Sequence, residues 1–355
     1  QNDDREPTLA QLVDLPPLGI DVVGLRPGTT DAPSQREPED LDPGLDPIAE
    51  EARISSVGGG YLTVWSRGHL ERSTLDRILL EEDGPILRRY RLEGRLANLP
   101  FVQWLTAIPD LCRIDLTTEI DFGSGHHPGP QMPDHRSDLA SYIQVHLKLC
   151  LNFESECSRS FCDSPFLLAE PAGPRTTVGS LLGLERDEGG RLAIHHRGTP
   201  GWYLDREAGL ARNVLAWGPE QWLYASDDSI TPGGSRYTAV RGRHRYHHQI
   251  AQPASRLGAL RSAHDFRLPV LSVEMGSAKG ISSAPWSFLA IEPETVVLTA
   301  LFARDGRTHA RLWNASDEPT EARLIGSPRV DEGVSLRLEA QSSCEWPRLR
   351  PWGIQ

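Results

Sequence analysis

The sequence predicts an all-β protein, and three observations carry that prediction. Short runs of alternating apolar and polar residues recur along the chain. Turn-forming residues, 32 Gly and 28 Pro, punctuate those runs. No stretch sustains a capped 3.6-residue apolar period, the weak exception being Ser73 to Glu82. At 355 residues the chain exceeds what one hydrophobic core usually serves, so more than one β domain is expected.

Taken in order, residues 1–25 contain Leu15-Pro16-Pro17-Leu18-Gly19 followed by Ile20, Val22 and Val23, which reads as the terminal strand of a preceding small β domain. Residues 26–50 are rich in Pro, Asp and Glu and poor in aromatics. They lack the apolar surface that offsets ordering entropy and read as a linker or mobile loop. Dense strand signals fill residues 51–268: Tyr61 to Trp65, Ile86 to Leu92 and Phe101 to Leu105, bounded by Gly58-Gly59-Gly60, Gly84-Pro85 and Pro109-Asp110. Arg113 to Phe122 alternates, with Ile114, Leu116, Thr118, Ile120 and Phe122 on one face, as a half-buried strand must. Ser141 to Phe153 alternates for much of its length, and further strands are expected at 191–196, 213–217, 222–225 and 236–250. The polar, small-residue stretch from Gln252 to Phe266 reads as a crossing loop. Residues 269–355 then carry short, evenly spaced strands, with Arg304-Asp305-Gly306-Arg307 as a hairpin signal, and read as a small sandwich.

Composition narrows the partners. No apolar run of about 18 residues occurs, so no membrane span is expected. A formal charge of -12, with Arg scattered among Asp and Glu, argues against nucleic acid and for a neutral or cationic ligand. Five cysteines without a CxxC pair leave at least one thiol unpaired, which favours a reducing, cytoplasmic setting; no targeting signal is present in the sequence. Cys157 and Cys162 fit a small disulfide loop, a zinc half-site or ordinary packing thiols. Asn314-Ala315-Ser316 matches a glycosylation sequon, a triplet common by chance.

Three constellations bear on chemistry. His126-His127 with His135 offers metal ligands on a loop, but nothing fixes a third or fourth, and an exposed polar loop is the simpler reading. On a strand, Arg243, Arg245 and His247 share one face and His244, Tyr246 and His248 the other, a row suited to a hydroxyl-rich or anionic ligand, or merely to solvent. Asp227-Asp228 sits in a turn below Trp217, Trp222 and Tyr224. Adjacent carboxylates rarely reach the separation glycoside cleavage needs, so they cap the turn or bind sugar hydroxyls. Trp202 and Tyr203 form a second aromatic platform for stacking on a pyranose. No GxSxG, P-loop, GxGxxG or HExxH motif is present, and the residues by themselves define no catalytic centre.

Near the C-terminus, Trp286-Ser287-Phe288-Leu289-Ala290-Ile291-Glu292-Pro293, Val296-Val297-Leu298-Thr299-Ala300-Leu301-Phe302 and Ala310-Arg311-Leu312-Trp313-Asn314 follow one another in sequence. Together with Pro16-Pro17-Leu18-Gly19, the Arg113 to Phe122 strand, Gly242-Arg243-His244-Arg245-Tyr246 and the closing Leu349 to Gln355, this order resembles the C-terminal β domains of glycoside hydrolase family 38 α-mannosidases. Departures at Gly123-Ser124-Gly125-His126-His127 and between Asp205 and Ser229 mark a divergent branch. The resemblance implies a large β-supersandwich of the galactose-mutarotase type over residues 51–268 and a small β-sandwich over 269–355. It also implies that zinc, the nucleophilic Asp and the acid–base carboxylate belong to a catalytic domain with no counterpart in this sequence. This chain is then expected to hold no catalytic residue and no cofactor, and to serve that domain and a mannoside-like carbohydrate. Carbohydrate contacts are expected at Trp202, Tyr203, Trp222, Asp227, Asp228 and His244. Two rivals remain: a free-standing carbohydrate-binding module built on Trp202, Tyr203 and Trp222, and a mutarotase-like epimerase pairing His244 with Asp227 or Asp228.

Overall fold

The structure is a computed structural model. It describes residues 19–20, 38–51, 58–66, 69–97, 99–123, 146–165, 167–171, 173–187, 189–219, 242–268, 286–287, 289–304, 307–326, 334–339 and 343–349. The chain is all-β and divides into two compact units, one of residues 32–162 and 170–269, the other of residues 1–31, 163–169 and 270–355.

The larger unit is a sandwich of two antiparallel sheets. In the long sheet the strands run Arg159–Ser164, Leu181–Glu185, Arg191–His196, Arg243–Ala251, Arg113–Asp121, Leu99–Ile108, Arg88–Leu96, Thr74–Asp83 and Glu39–Leu41. The six-stranded sheet runs Arg175–Thr177, Gly201–Asp205, Leu210–Pro219, His146–Glu154, Gly58–Ser66 and His69–Arg72. Alternation decides what each strand buries. In Arg113–Asp121 and just beyond it, Ile114, Leu116, Thr118, Ile120 and Phe122 are all at most 2 % exposed, as their spacing predicts. They meet Leu62, Leu149, Leu151, Phe153 and Trp202 of the six-stranded sheet in one core.

Three expectations are corrected here. Residues 38–50 are not a linker: Glu39–Leu41 pairs with Thr74–Asp83, and Pro47–Glu50 is a short helix capped by Asp46, whose Oδ1 accepts from Ile48 N at 3.0 Å. Ile48 enters the core, and buried Glu51, the residue just after the helix, accepts a 2.6 Å hydrogen bond from the Tyr90 hydroxyl. Burial, and then that bond, push the Tyr90 pKa upward. Thr74–Asp83 is a strand, not a helix. Its register shifts at Leu75/Arg77 and Leu80/Glu82 break the two-residue period and imitate a helical spacing. The segment read as a crossing loop contains the helix Arg256–Arg267, started by Ser255, whose hydroxyl accepts from Gly258 N at 2.9 Å. Its buried stripe is Ala259, Leu260 and Ala263, and two alanines give little hydropathy signal.

That helix is fixed on the outward face of the long sheet. Glu185, 4 % exposed, receives Arg256 at 2.6 Å and Arg191 at 2.9 Å, and Arg197 donates to the Phe266 carbonyl. The hydrogen bond from Arg256, ahead of that from Arg191, holds the Glu185 carboxyl down to about 2 against the opposing effect of burial.

The smaller unit holds two three-stranded sheets, Leu289–Glu292 with Thr320–Gly326 and Val334–Leu338, and Val296–Arg304 with Arg307–Asn314 and Ser343–Leu349. The hairpin expected at residues 304–307 is present, with Arg304 opposite Arg307. Leu289, Val296, Ala310, Leu312, Ala322, Leu324 and Leu338 form its core. Gly19–Ile20 pairs with Trp286–Ser287 in this unit. Asn314 is fully buried and donates to the carbonyls of Glu318 at 2.7 Å and Glu339 at 3.1 Å, which leaves the sequon amide inaccessible. Among the described residues no helix is long and apolar enough to cross a membrane.

Candidate functional site

The outward face of the long sheet carries a set of half-buried polar and aromatic side chains. Register places Arg91 opposite Trp104, Trp104 opposite Thr117, and Thr117 opposite His247, one row across four strands. At the usual strand spacing this row spans about 14 Å. The neighbouring row sets Val102 opposite Glu119 and Glu119 opposite Arg245. Thr117 Oγ1 lies 3.1 Å from His247 Nδ1. Glu119 is held by Arg245 at 2.5 Å and Arg243 at 3.3 Å, and the Arg245 guanidinium lies 5.9 Å from the Trp104 ring centroid. On the other flank Asp115 takes both arms of Arg113 and accepts from Gln249 at 2.9 Å. The charges on this face are thus largely spent on one another. Burial, followed by the cations of Arg197 and Arg245, lowers the pKa of His247, so its imidazole is neutral at pH 7.

A second polar group lies in the core. Asn213 gives its amide hydrogens to the carbonyls of Thr199 at 2.7 Å and Gly201 at 3.1 Å, so its Oδ1 accepts from His248 Nε2 at 2.9 Å, and His248 is the Nε2–H tautomer. Burial, with His196 and His247 adding to it, takes the His248 pKa down to about 3. Phe153 and Trp202 wall this group: His248 is 6.0 Å from Phe153, and His196 is 5.8 Å from Trp202.

Of the residues singled out from sequence, the described ones, Trp202, Tyr203 and His244, do not converge. Trp202 is 1 % exposed and stacks on Phe153 at 6.2 Å, so it is a core residue with no ring face for a ligand, a correction to the platform reading. Tyr203 faces outward on the six-stranded sheet with the Arg175 guanidinium 5.5 Å from its ring. His244 is half-buried on the core side, edge-on to Phe122 at 5.5 Å and stacked on Tyr246 at 6.3 Å, and burial raises Tyr246 to about 12. Trp222, Asp227, Asp228, the His126, His127 and His135 group, and the tail from 350 to 355 lie outside the described residues. No disulfide joins Cys157 to Cys162; both are thiols, Cys162 is in the core, and burial raises the Cys157 pKa. Among the described residues no group of three or more His, Cys, Asp or Glu side chains is arranged to hold a metal ion. Trp104, Thr117 and Glu119 were not singled out from sequence. The outward parity of Val102, Trp104 and Thr106 was the available signal.

With both sheets and the face described, the class of fold is all-β, a large two-sheet β-sandwich with a small β-sandwich. No protein-family model matches the sequence, and no curated protein matches it. Among solved structures, an α-mannosidase from Enterococcus faecalis V583 is similar over 81 % of this chain and 38 % of its own, with TM-score 0.58 and 11 % identity. A protein in the glycosyl hydrolase family 38 from Enterococcus faecalis is similar over 81 % of this chain and 40 % of its own, with TM-score 0.59 and 11 % identity. The chain therefore has a family-38-like fold and spans about two fifths of the length of these structures.

Proposed function

We propose that this chain is the β portion of a glycoside hydrolase of the family 38 kind, supporting a zinc-dependent catalytic domain carried elsewhere in the polypeptide. The observation that carries this reading is the match of 81 % of the chain to an α-mannosidase and to a protein in the glycosyl hydrolase family 38, each more than twice its length. The family motifs from Pro16 to Asn314 fall in the same order and support it from the sequence side. Glycoside cleavage needs two carboxylates set about 5–10 Å apart across a scissile bond. On the face described above, Asp115 and Glu119 are each engaged by arginine, which withdraws them from that role. The chain by itself is expected to leave aryl α-mannosides uncleaved, with or without added zinc, whereas the polypeptide that includes the catalytic domain cleaves them. Turnover by the isolated chain overturns the proposal.

A further inference from the structure

We infer that the row Arg91–Trp104–Thr117–His247 on the outward face of the long sheet is a carbohydrate-binding surface for a neutral, hydroxyl-rich chain of two to three sugar units. The inference rests on the reading of the chain as part of a glycoside hydrolase, and places a sugar contact on the sheet opposite the one that carries Trp202 and Tyr203. Four observations support it. Trp104 is half-buried, on a strand whose next outward neighbours are Val102 and Thr106. An indole so placed offers an apolar body for a pyranose face and an N–H for a hydroxyl.

Thr117 and His247 meet at 3.1 Å, and each keeps hydrogen-bonding capacity beyond that contact: a second hydroxyl lone pair on Thr117, and Nε2 on the neutral imidazole. Paired neutral groups of this kind both donate to and accept from hydroxyls, which do the same. The flanking charges are already matched, Glu119 by Arg245 and Arg243, Asp115 by Arg113, and Arg91 by Glu93 at 2.6 Å. An anionic ligand would have to displace these pairs, so a neutral one fits. Finally, Arg91 lies opposite Trp104 in the row with 34 % of its side chain exposed, which leaves guanidinium N–H groups at that end of the surface. The about 14 Å reach of the row matches two to three pyranose rings laid along it. The helix Arg256–Arg267 closes one end, where Arg197 stacks on Phe266 at 4.5 Å and adjoins His247.

The test is titration calorimetry of the purified chain with α-mannotriose, with trigalacturonate as the anionic comparison. Trp104→Ala is expected to weaken mannotriose binding about tenfold or more, the scale of one lost aromatic contact. Thr117→Val, nearly isosteric and safe for folding, is expected to weaken it several-fold, and Tyr203→Ala on the other sheet to leave it unchanged. Loss of binding in Tyr203→Ala with retention in Trp104→Ala overturns the inference, as does tighter binding of trigalacturonate or no heat with either sugar. If neither sugar binds yet only the longer polypeptide cleaves mannosides, this binding surface is refuted while the family reading stands; cleavage by the isolated chain refutes the family reading itself.

Discussion

Acidification should unfold the larger unit through His248, a single residue whose contribution can be isolated. In the folded state burial holds its pKa near about 3, against an ordinary value of 6.5. The folded pKa is the depressed one, so the stabilisation is complete above 6.5 and is lost as pH falls toward 3, because only the unfolded chain takes up the proton. Each pH unit inside that window costs about 1.4 kcal/mol, and lowering pH from 7.5 to 4.5 costs about 2.7 kcal/mol through this group. The imidazole cannot relieve the cost by turning. Asn213 has committed both amide hydrogens to backbone carbonyls and presents only an acceptor, and Phe153 closes another side. The assay is urea unfolding at half-unit pH steps, followed by tryptophan fluorescence. His248→Gln keeps a donor toward Asn213 and removes the titration. The wild type should lose stability by about one proton's slope more than the variant between pH 6 and 4.5. Parallel slopes for the two proteins would refute the reasoning.

Other outcomes follow from the same packing. Glu185→Gln should cost about 1.5–3 kcal/mol at neutral pH by urea unfolding, since it removes a nearly buried carboxylate that receives two arginines. That carboxylate has its pKa held down to about 2 from 4.5, so its stabilisation is present above 4.5 and lost below it, and the gap between wild type and variant should close as pH falls from 4.5 toward 2. Trp202→Ala should cost about 3–5 kcal/mol in the same assay, as expected of a large aromatic removed from the core; a loss below about 1 kcal/mol would show the ring to be a surface platform after all. Gly183→Ala places a methyl 2.1 Å from the ring of fully buried Phe161 and should cost about 1–3 kcal/mol, while Gly173→Ala, with open space around it and no positive φ, should be close to neutral.

Much of the fold was legible because alternation is a local property. Arg113–Asp121 shows its buried face in the order of its residues, and the hairpin at Arg304 and Arg307 is written in its turn chemistry. What misled were places where a local pattern was interrupted or supplied from afar. Two bulges disguised Thr74–Asp83, and the acidic stretch around Asp46 looked linker-like although one aliphatic residue, Ile48, anchors it in the core. The candidate site was legible only in part. The shared face of Arg243, Arg245 and His247 follows from strand parity. Their partners do not, since His247 meets Thr117 across a separation of 130 residues that only the sheet order brings together. Likewise parity puts Trp202 and Tyr203 on opposite faces, but it does not say which face is the core; the sandwich chose Trp202.

The central claim is that the chemistry this chain serves resides in a catalytic domain of the same polypeptide, and the most direct measurement is the sequence of the transcript upstream of the codon for Gln1. The account predicts an uninterrupted reading frame that encodes a domain with a His-x-Asp zinc motif. A stop codon followed by a start immediately ahead of Gln1, with no such domain, would contradict it.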